Sequence, residues 1–302
     1  MSTPDCVTFE HEAMATRWRI SIAGQESSYA RQAAEAAFDE IDRLENELSR
    51  FKDTTDVAEL NSLPANTPAV MGLDAFECLK IADQLHTLTS GVFDVTIGRL
   101  FKCWMAADGN PRQPSDEELE LASSLSGFDL LELNDADHTV SVRKEGVQVD
   151  LGGVGKGYAL DCAADLLSEW DIDRALLDSG GSTIRAVGAP LEADGWPIGL
   201  GKGRRLALKD RCMAASGFDV KGAHIVNPLN GQAVDTYSRS WAFADNSAIA
   251  DGLSTAFMMM THDEILACCE SLPLVGGVVL PSEGEELVYF GSIQKSDLLS
   301  CS

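Results

Sequence analysis

The sequence predicts an α+β protein in which helices pack against mixed or antiparallel sheets in one compact unit. Long helical patterns prevail early in the 302 residues, short strand-like runs prevail in the middle, and the end is mixed. No internal repeat, heptad pattern or low-complexity linker interrupts this order. We therefore expect a single domain over residues 1–302, with a core from about 7 to 291.

The first part of the chain predicts a pair of strands followed by two helices. Residues 7–23 alternate roughly between apolar and polar side chains, which predicts strands on either side of Met14. Apolar residues at helical spacing predict a long amphipathic helix over 28–48. A second helix is predicted over 73–89, and Gly91 ends it.

The second part predicts many short strands and two more helices. Apolar residues at helical spacing predict a helix over 155–170, and Asn246 or Ser247 can cap another that runs to about Met260. Strands are predicted, in chain order, at 130–133, 139–143, 148–150, 175–177, 183–187 and 198–200, within 204–215, and at 241–244, 278–280 and 287–290.

The net charge of the chain disfavours some classes of function. Its 48 acidic and 23 basic residues give a formal net charge of −25 at pH 7. Such a surface repels nucleic acid and anionic membranes, and it admits a polyanionic ligand only where a bound cation reverses the local field. The sequence has no apolar run long enough for a membrane span and no pattern of a signal peptide, so we expect a cytoplasmic protein.

A glycine-rich stretch, VDLGGVGKGYALD at 149–161, joins a strand-like run to a helical one. It fits neither GxGxxG nor the Walker A pattern, because Tyr158 and Leu160 stand where glycine is needed and Gly157 follows Lys156. Such a bend lets the backbone approach a ligand, with amides that attract anions and carbonyls that bind hard cations. A tight turn with close packing is the alternative explanation.

A second candidate is SAIADGLSTAFMMM at 247–260. Asp251 and Thr255 are four residues apart, so both lie on one face of the predicted helix and offer hard oxygen ligands. An ionised aspartate on an apolar helix is costly without a partner, which a bound Mg²⁺ would supply. Alternatively, Asp251 interacts with the helix dipole and Thr255 bonds back to a carbonyl.

Two further segments have both a structural and a functional interpretation. DSGGSTIRAVG at 178–188 is either a hairpin turn or a second approach of the backbone to the same ligand. His224 lies in a strand-like segment before the turn Pro-Leu-Asn-Gly, and a lone histidine of this kind is more often structural than catalytic.

These motifs together resemble those of the FAD:protein FMN transferase family, the ApbE-like flavin transferases. The similarity runs from about Met14 to about Phe290 and implies an ApbE-like fold. The segments that are similar to the family's landmarks, in the family's order, are MATRW, LSRFKDTTDVAELN, SGVFDVTIGRLFKCW, VDLGGVGKGYALD, DSGGSTIRAVG, HIVNPLNGQ and ADGLSTAFMMM.

The resemblance implies an enzyme. Members cleave the diphosphate of FAD, move the FMN half onto a threonine hydroxyl of a target protein, and release AMP. This chain would therefore be a Mg²⁺-dependent flavin transferase whose partners are FAD and an acceptor protein with a target threonine or serine, such as a redox or electron-transfer subunit. Two alternatives stay open: an FAD pyrophosphatase that yields free FMN and AMP, and a flavin-binding protein without catalysis.

The resemblance also implies roles for individual residues. His224 would be the catalytic base that takes the proton of the acceptor hydroxyl. The metal would be held by the side chains of Asp251 and Thr255 and by backbone oxygens at Ala248 and Gly153. Contacts with FAD are expected at Met14, Phe51, Val92, Phe93, Asp94, Asp150 and Lys156.

Overall fold

The computed structural model describes residues 6–50, 55–106, 108–201, 203–217 and 225–299. Within them the chain forms eight α-helices: α1 (Ser27–Leu48), α2 (Asp56–Leu60), α3 (Leu73–Leu88), α4 (Gly98–Cys103), α5 (Asp116–Ser123), α6 (Gly155–Glu169), α7 (Ser247–Phe257) and α8 (His262–Ser271). The strands of the same residues are β1 (Cys6–Ala13), β2 (Thr16–Ala23), β3 (Ala69–Val70), β4 (Leu131–Asn134), β5 (Thr139–Val142), β6 (Ala175–Ser179), β7 (Thr183–Val187), β8 (Trp196–Gly199), β9 (Arg205–Leu208), β10 (Arg211–Gly217), β11 (Tyr237–Ala244), β12 (Gly276–Pro281) and β13 (Val288–Gly291).

The predicted α+β class is confirmed, and the paired strands run antiparallel. The main sheet has eight strands in the order β1-β2-β6-β7-β10-β11-β12-β13. A three-stranded sheet has the order β3-β5-β4, and β8 and β9 form a separate hairpin. No helix of the described residues is long and apolar enough to cross a membrane.

Both faces of the main sheet are covered by apolar side chains. On one face, α1 packs on α6, α6 packs on α7, and α7 lies on β10 and β11. Alanines on the buried side of α1 let its neighbours approach closely, while Phe38, Ile41 and Leu44 fill the space between them. On the other face, a second cluster that includes Trp196 and Trp241 packs beneath the β8–β9 hairpin.

Several elements differ from the sequence-based expectation. The strand predicted at 148–150 does not form: Gln148 makes an isolated parallel bridge with Ile97, and the Asp150 amide donates to the Val95 carbonyl at 2.7 Å. Helices α2, α4, α5 and α8 and strand β3 were not predicted from the residue pattern. For α5 and α8 a signal was present, because Ser115 with Glu118 and Thr261 with Glu264 form capping boxes.

Gly157 lets α6 and α7 touch, and this contact supports a first prediction. A Cβ there would lie 2.3 Å from the Ser247 carbonyl oxygen and 2.5 Å from the Ala248 Cα, both backbone atoms. We therefore expect Gly157→Ala to lower the free energy of unfolding by about 1–3 kcal/mol, measured by urea denaturation. Gly155→Ala is the matched control, because its Cβ would meet Leu48 at an ordinary 3.9 Å. Equal stability of the two variants would contradict this account of the packing.

Candidate active site

A cleft runs along the glycine-rich bend between Asp150 and α6. It consists of two cavities of about 200 and 360 Å³, called here the small and the large cavity, which share Arg50, Asp150 and Gly152. Among the predicted site residues, Met14 and Lys156 line the small cavity. The large cavity is lined by Val92, Phe93, Asp94, Gly153 and Thr255.

Two further predicted site residues lie outside this lining. Asp251 and Ala248 are buried on α7, behind the bend. Phe51 and His224 fall outside the described residues, although Ile225, which follows His224 in the chain, lines the large cavity. The structure thus places along one cleft residues that are up to about 240 positions apart in the sequence.

Met14 reaches the cleft because of the turn that joins β1 to β2. Met14 and Ala15 form a two-residue hairpin loop between the paired residues Ala13 and Thr16. Both loop residues have positive φ angles, 49° and 57°, which a type I′ turn requires and which are uncommon outside glycine. The turn places Met14 and Ala15 at the wall of the small cavity.

Asp150 connects the glycine-rich bend to Arg50 through an ion pair. Its Oδ1 accepts a hydrogen bond from the Gly152 amide at 3.0 Å, and its Oδ2 lies 3.0 Å from an Arg50 guanidinium nitrogen. Gly153 is needed beside it, because a Cβ would come within 3.0 Å of the Phe93 ring. The backbone of the bend, the Asp150 carboxylate and the Arg50 guanidinium therefore border the cleft together.

Asp94 lines the large cavity, but its carboxylate is already engaged in holding the surrounding loop. Oδ1 accepts from the amide and hydroxyl of Thr96 at 2.7 and 2.6 Å. Oδ2 accepts from the Phe128 amide at 2.8 Å and lies 3.4 Å from His86 Nδ1. These bonds keep the neighbouring Phe93 at the cavity wall, while a direct contact of Asp94 with ligand stays a prediction.

The ion pair of His86 and Asp94 predicts how stability changes with pH. The hydrogen bond to Asp94 raises the pKa of His86, against the opposing effect of burial. Stabilisation by this pair is therefore fully present below the unfolded-state pKa of about 6.5 and is lost as pH rises through the higher folded-state value. We expect wild type to lose more unfolding free energy than His86→Gln between pH 6 and 8 in urea titrations. Parallel pH profiles would contradict this.

Asp251 is a buried carboxylate with long contacts. Its side chain is 1% exposed, and its Oδ2 lies 3.3 Å from the Gly157 amide and 3.7 Å from Lys156 Nζ. Both contacts are longer than the length of about 2.7–2.9 Å that is usual for charge-assisted hydrogen bonds. Asp251 also lies beyond the first turn of α7, which disfavours the alternative in which it serves the helix dipole.

Thr255 lies one turn beyond Asp251 on α7, as predicted from the spacing. Its Oγ1 is 3.2 Å from the hydroxyl of Ser216, a fully buried residue near the end of β10. The side chain lines the large cavity together with Gly153. A carboxylate, a hydroxyl and the carbonyls of the bend thus belong to elements that meet at the cleft.

The start of α7 is held by two residues that the sequence-based reasoning missed. The Asp161 carboxylate accepts from the amides of Ser247 and Ala248 at 2.9–3.2 Å and is paired with Arg185 at 2.7 Å. Burial raises the pKa of Asp161, against the attraction of Arg185. The signal was in the sequence, because Asp161 is one turn beyond Gly157 and so lies on the side of α6 that faces α7.

The oxygen donors of α7 and the bend would suit a magnesium ion rather than a metal held wholly by side chains. Among the described residues there is no group of three or more His, Cys, Asp or Glu that could hold a metal. Mg²⁺ commonly takes one or two carboxylates, keeps several waters, and shares the oxygens of substrate phosphates. The buried carboxylate of Asp251, with the Thr255 hydroxyl and backbone oxygens, fits that donor set.

Arg50 is a further cleft residue that was not predicted. It lines both cavities and pairs with Asp150. Its position beside the predicted Phe51 in the sequence was the available signal. With Lys156 it supplies positive charge to the cleft of a chain whose net charge is −25. Fold and site together define an α+β protein with a cleft along a glycine-rich bend, lined by both basic and acidic side chains.

The chain belongs to the ApbE family, whose model matches residues 14–278. It is 31% identical over 250 residues to the FAD:protein FMN transferase of Haemophilus influenzae, covering 76% of this chain and 70% of that protein. It is 28% identical over 255 residues to the FAD:protein FMN transferase of Vibrio cholerae, covering 77% and 75%. The family recognised from the motifs is thereby confirmed.

Solved structures agree with this assignment. The ApbE protein of Thermotoga maritima superposes with a TM-score of 0.84 at 27% identity, covering 94% of this chain and 97% of that one. Flavin transferase ApbE from Vibrio cholerae superposes with a TM-score of 0.83 at 21% identity, covering 95% and 97%. The second comparison, at its lower identity, shows the shared fold.

Proposed function

We propose that the protein transfers the FMN half of FAD to a threonine or serine hydroxyl of an acceptor protein, with Mg²⁺ bound at Asp251 and AMP as the leaving group. The observation that carries this proposal is the buried Asp251 carboxylate behind a glycine bend flanked by Arg50 and Lys156. The curated relatives of the chain bear the name FAD:protein FMN transferase, which supports the same activity.

In the proposed reaction, the acceptor hydroxyl oxygen attacks the phosphorus of the FMN half. A new phosphoester bond forms, the bond from that phosphorus to the bridging oxygen breaks, and AMP leaves with the bridging oxygen and its charge. His224 takes the hydroxyl proton, a role for which neutral imidazole is suited near pH 7. Its chain neighbour Ile225 lines the large cavity, which supports this assignment.

The side chains of the cleft bind and orient the FAD. Arg50 and Lys156 offset the charge of the diphosphate, since phosphoryl transfer depends mainly on positioning and charge neutralisation. Val92 and Phe93 offer an apolar wall for a flat ring system, and Met14 borders the small cavity. Asp251, Thr255 and backbone oxygens of Ala248 and Gly153 would hold Mg²⁺, which when bound polarises the diphosphate and stabilises charge on the departing phosphate.

A quantitative assay of FAD turnover tests the proposal. The protein is incubated with FAD and MgCl₂, with and without a candidate redox subunit as acceptor, and free FMN, free AMP and acceptor-bound flavin are measured. The transferase predicts that AMP release rises with acceptor and equals the flavin bound to it. Release of FMN and AMP in equal amounts without bound flavin would indicate an FAD pyrophosphatase. FAD that stays intact for hours would indicate a flavin-binding protein without catalysis.

A further inference from the structure

Lys156 makes contacts inside the site that its role as a phosphate contact does not explain. Its side chain is only 17% exposed, although lysines normally extend into solvent. The ammonium donates to the Gly152 carbonyl oxygen at 3.2 Å and lies 3.7 Å from Asp251 Oδ2. It therefore binds one backbone oxygen of the bend and faces the carboxylate assigned to the metal.

The ammonium lies beside one oxygen of the carboxylate that a divalent ion at Asp251 would also use. Asp251 Oδ2 is also the atom that faces the Gly157 amide, at 3.3 Å. A buried carboxylate needs a cation nearby, and in this structure the ammonium is that cation. Two cations held at one buried carboxylate repel each other strongly, so a divalent ion at Asp251 disfavours the present position of Lys156.

A diphosphate in the cleft would offer Lys156 another partner. The side chain lines the small cavity, which joins the large cavity at Arg50, Asp150 and Gly152. A flexible four-carbon stem lets the ammonium move from the carboxylate to phosphate oxygens in that space. Leaving the buried carboxylate of Asp251 without a cation costs free energy. The ammonium of Lys156 therefore moves to the phosphate favourably when a metal ion replaces it at Asp251.

We propose that Lys156 is the internal counter-ion of Asp251, which opposes metal binding while the cleft is without phosphate and so makes metal and nucleotide bind cooperatively. Lys156 is a positioning residue in this scheme, and the inference rests on the metal site of the proposed function. Because coupling between two ligands is reciprocal, nucleotide must tighten metal binding by the same factor by which metal tightens nucleotide binding.

Calorimetric titration of Mg²⁺ into the protein without nucleotide tests this inference. Lys156→Met removes the competing charge and keeps a long side chain. We expect it to bind Mg²⁺ about tenfold more tightly than wild type, within the usual range of such couplings. Lys156→Arg keeps the charge and should bind Mg²⁺ nearly as wild type does. Lys80→Met is the matched control, because Lys80 pairs with Glu77 on the surface of α3.

The coupling is measured with ADP, which carries a diphosphate without the flavin. For each variant, the dissociation constant of ADP in EDTA is divided by that in saturating Mg²⁺, after correction for Mg²⁺–ADP association in solution. This ratio should be about tenfold smaller for Lys156→Met than for wild type. Lys156→Met should also melt lower than wild type in EDTA and gain more from added Mg²⁺, because its buried carboxylate lacks a cation. If this variant fails to fold, Lys156→Gln replaces it.

The outcomes separate this inference from the proposed function. The inference would be overturned if Lys156→Met changed neither the Mg²⁺ affinity nor the coupling to ADP. Loss of Mg²⁺ binding in Asp251→Asn would still uphold the metal site in that case. Mg²⁺ binding that survives in Asp251→Asn would overturn the metal site and the inference with it. Tighter Mg²⁺ binding in Lys156→Met, with none in Asp251→Asn, is the result we expect.

Discussion

Asp251→Ala is expected to reduce Mg²⁺-dependent release of AMP from FAD to the background rate. The carboxylate is the one charged group that the proposed metal site takes from α7, and its side chain is 1% exposed. Without it, an acidic protein loses the ligand that would hold a cation against the diphosphate. The rate is measured by chromatography of AMP at saturating FAD, over a series of MgCl₂ concentrations.

Two control variants make the Asp251 result interpretable. Asp251→Asn keeps the shape of the side chain and an oxygen for the Gly157 amide, so it should fold normally and still lose turnover. Asp165→Ala changes an exposed aspartate on α6 and should leave turnover unchanged. Mg²⁺-dependent turnover that persists in folded Asp251→Ala would remove the metal assignment.

His224→Ala is expected to slow flavin transfer by about 10²–10⁴-fold, the usual contribution of a general base. FAD binding should remain nearly intact, because the base acts on the proton of the acceptor hydroxyl. Single-turnover transfer and the quenching of flavin fluorescence on binding separate these two properties. His11→Ala is the matched control, since His11 lies on β1 and bonds to Asp42.

Other results for His224→Ala would lead to different conclusions about the role of this residue. Loss of FAD affinity with an unchanged rate constant for transfer would make His224 a ligand contact or a structural residue. Loss of transfer together with loss of cooperative unfolding would leave its part in catalysis unsupported. Rescue of transfer by added imidazole would give independent support to the role of a base.

Elements with strong periodicity were predictable from the sequence. The bounds predicted for α1, α3 and α6 agree with the structure to within one residue, because apolar residues at helical spacing mark one buried face. The spacing of Asp251 and Thr255 likewise predicted that both belong to one helix face, since it depends only on helix geometry. Such features are local, so no knowledge of the packing is needed to derive them.

Contacts between distant elements were not predictable in this way. The pairing of Lys156 with Asp251 depends on how closely α6 approaches α7, and that distance is set by the missing side chain of Gly157. The pairing of Arg50 with Asp150 likewise joins residues from two separate segments. A single sequence shows the residue types of such contacts but not which of them meet.

The glycine-rich stretch shows both what the sequence predicts and what it leaves open. Ligand approach and close packing were competing explanations, and the structure supports a different reason at each position. Gly157 is required by the helix contact, and Gly153 allows the Phe93 ring to lie against the bend. Gly155 has room for a methyl group, so it is explained by neither contact. The bend borders the cleft as well, because Gly152, Gly153 and Gly155 line its cavities.

The most direct test of flavin transfer is the intact mass of a candidate redox subunit co-expressed with this protein. We expect the acceptor to gain the mass of FMN less one water, with the added group on a threonine or serine, and to gain nothing when Asp251→Ala replaces the wild type. An acceptor of unchanged mass, in a preparation where FAD is converted to free FMN and AMP, would contradict the account.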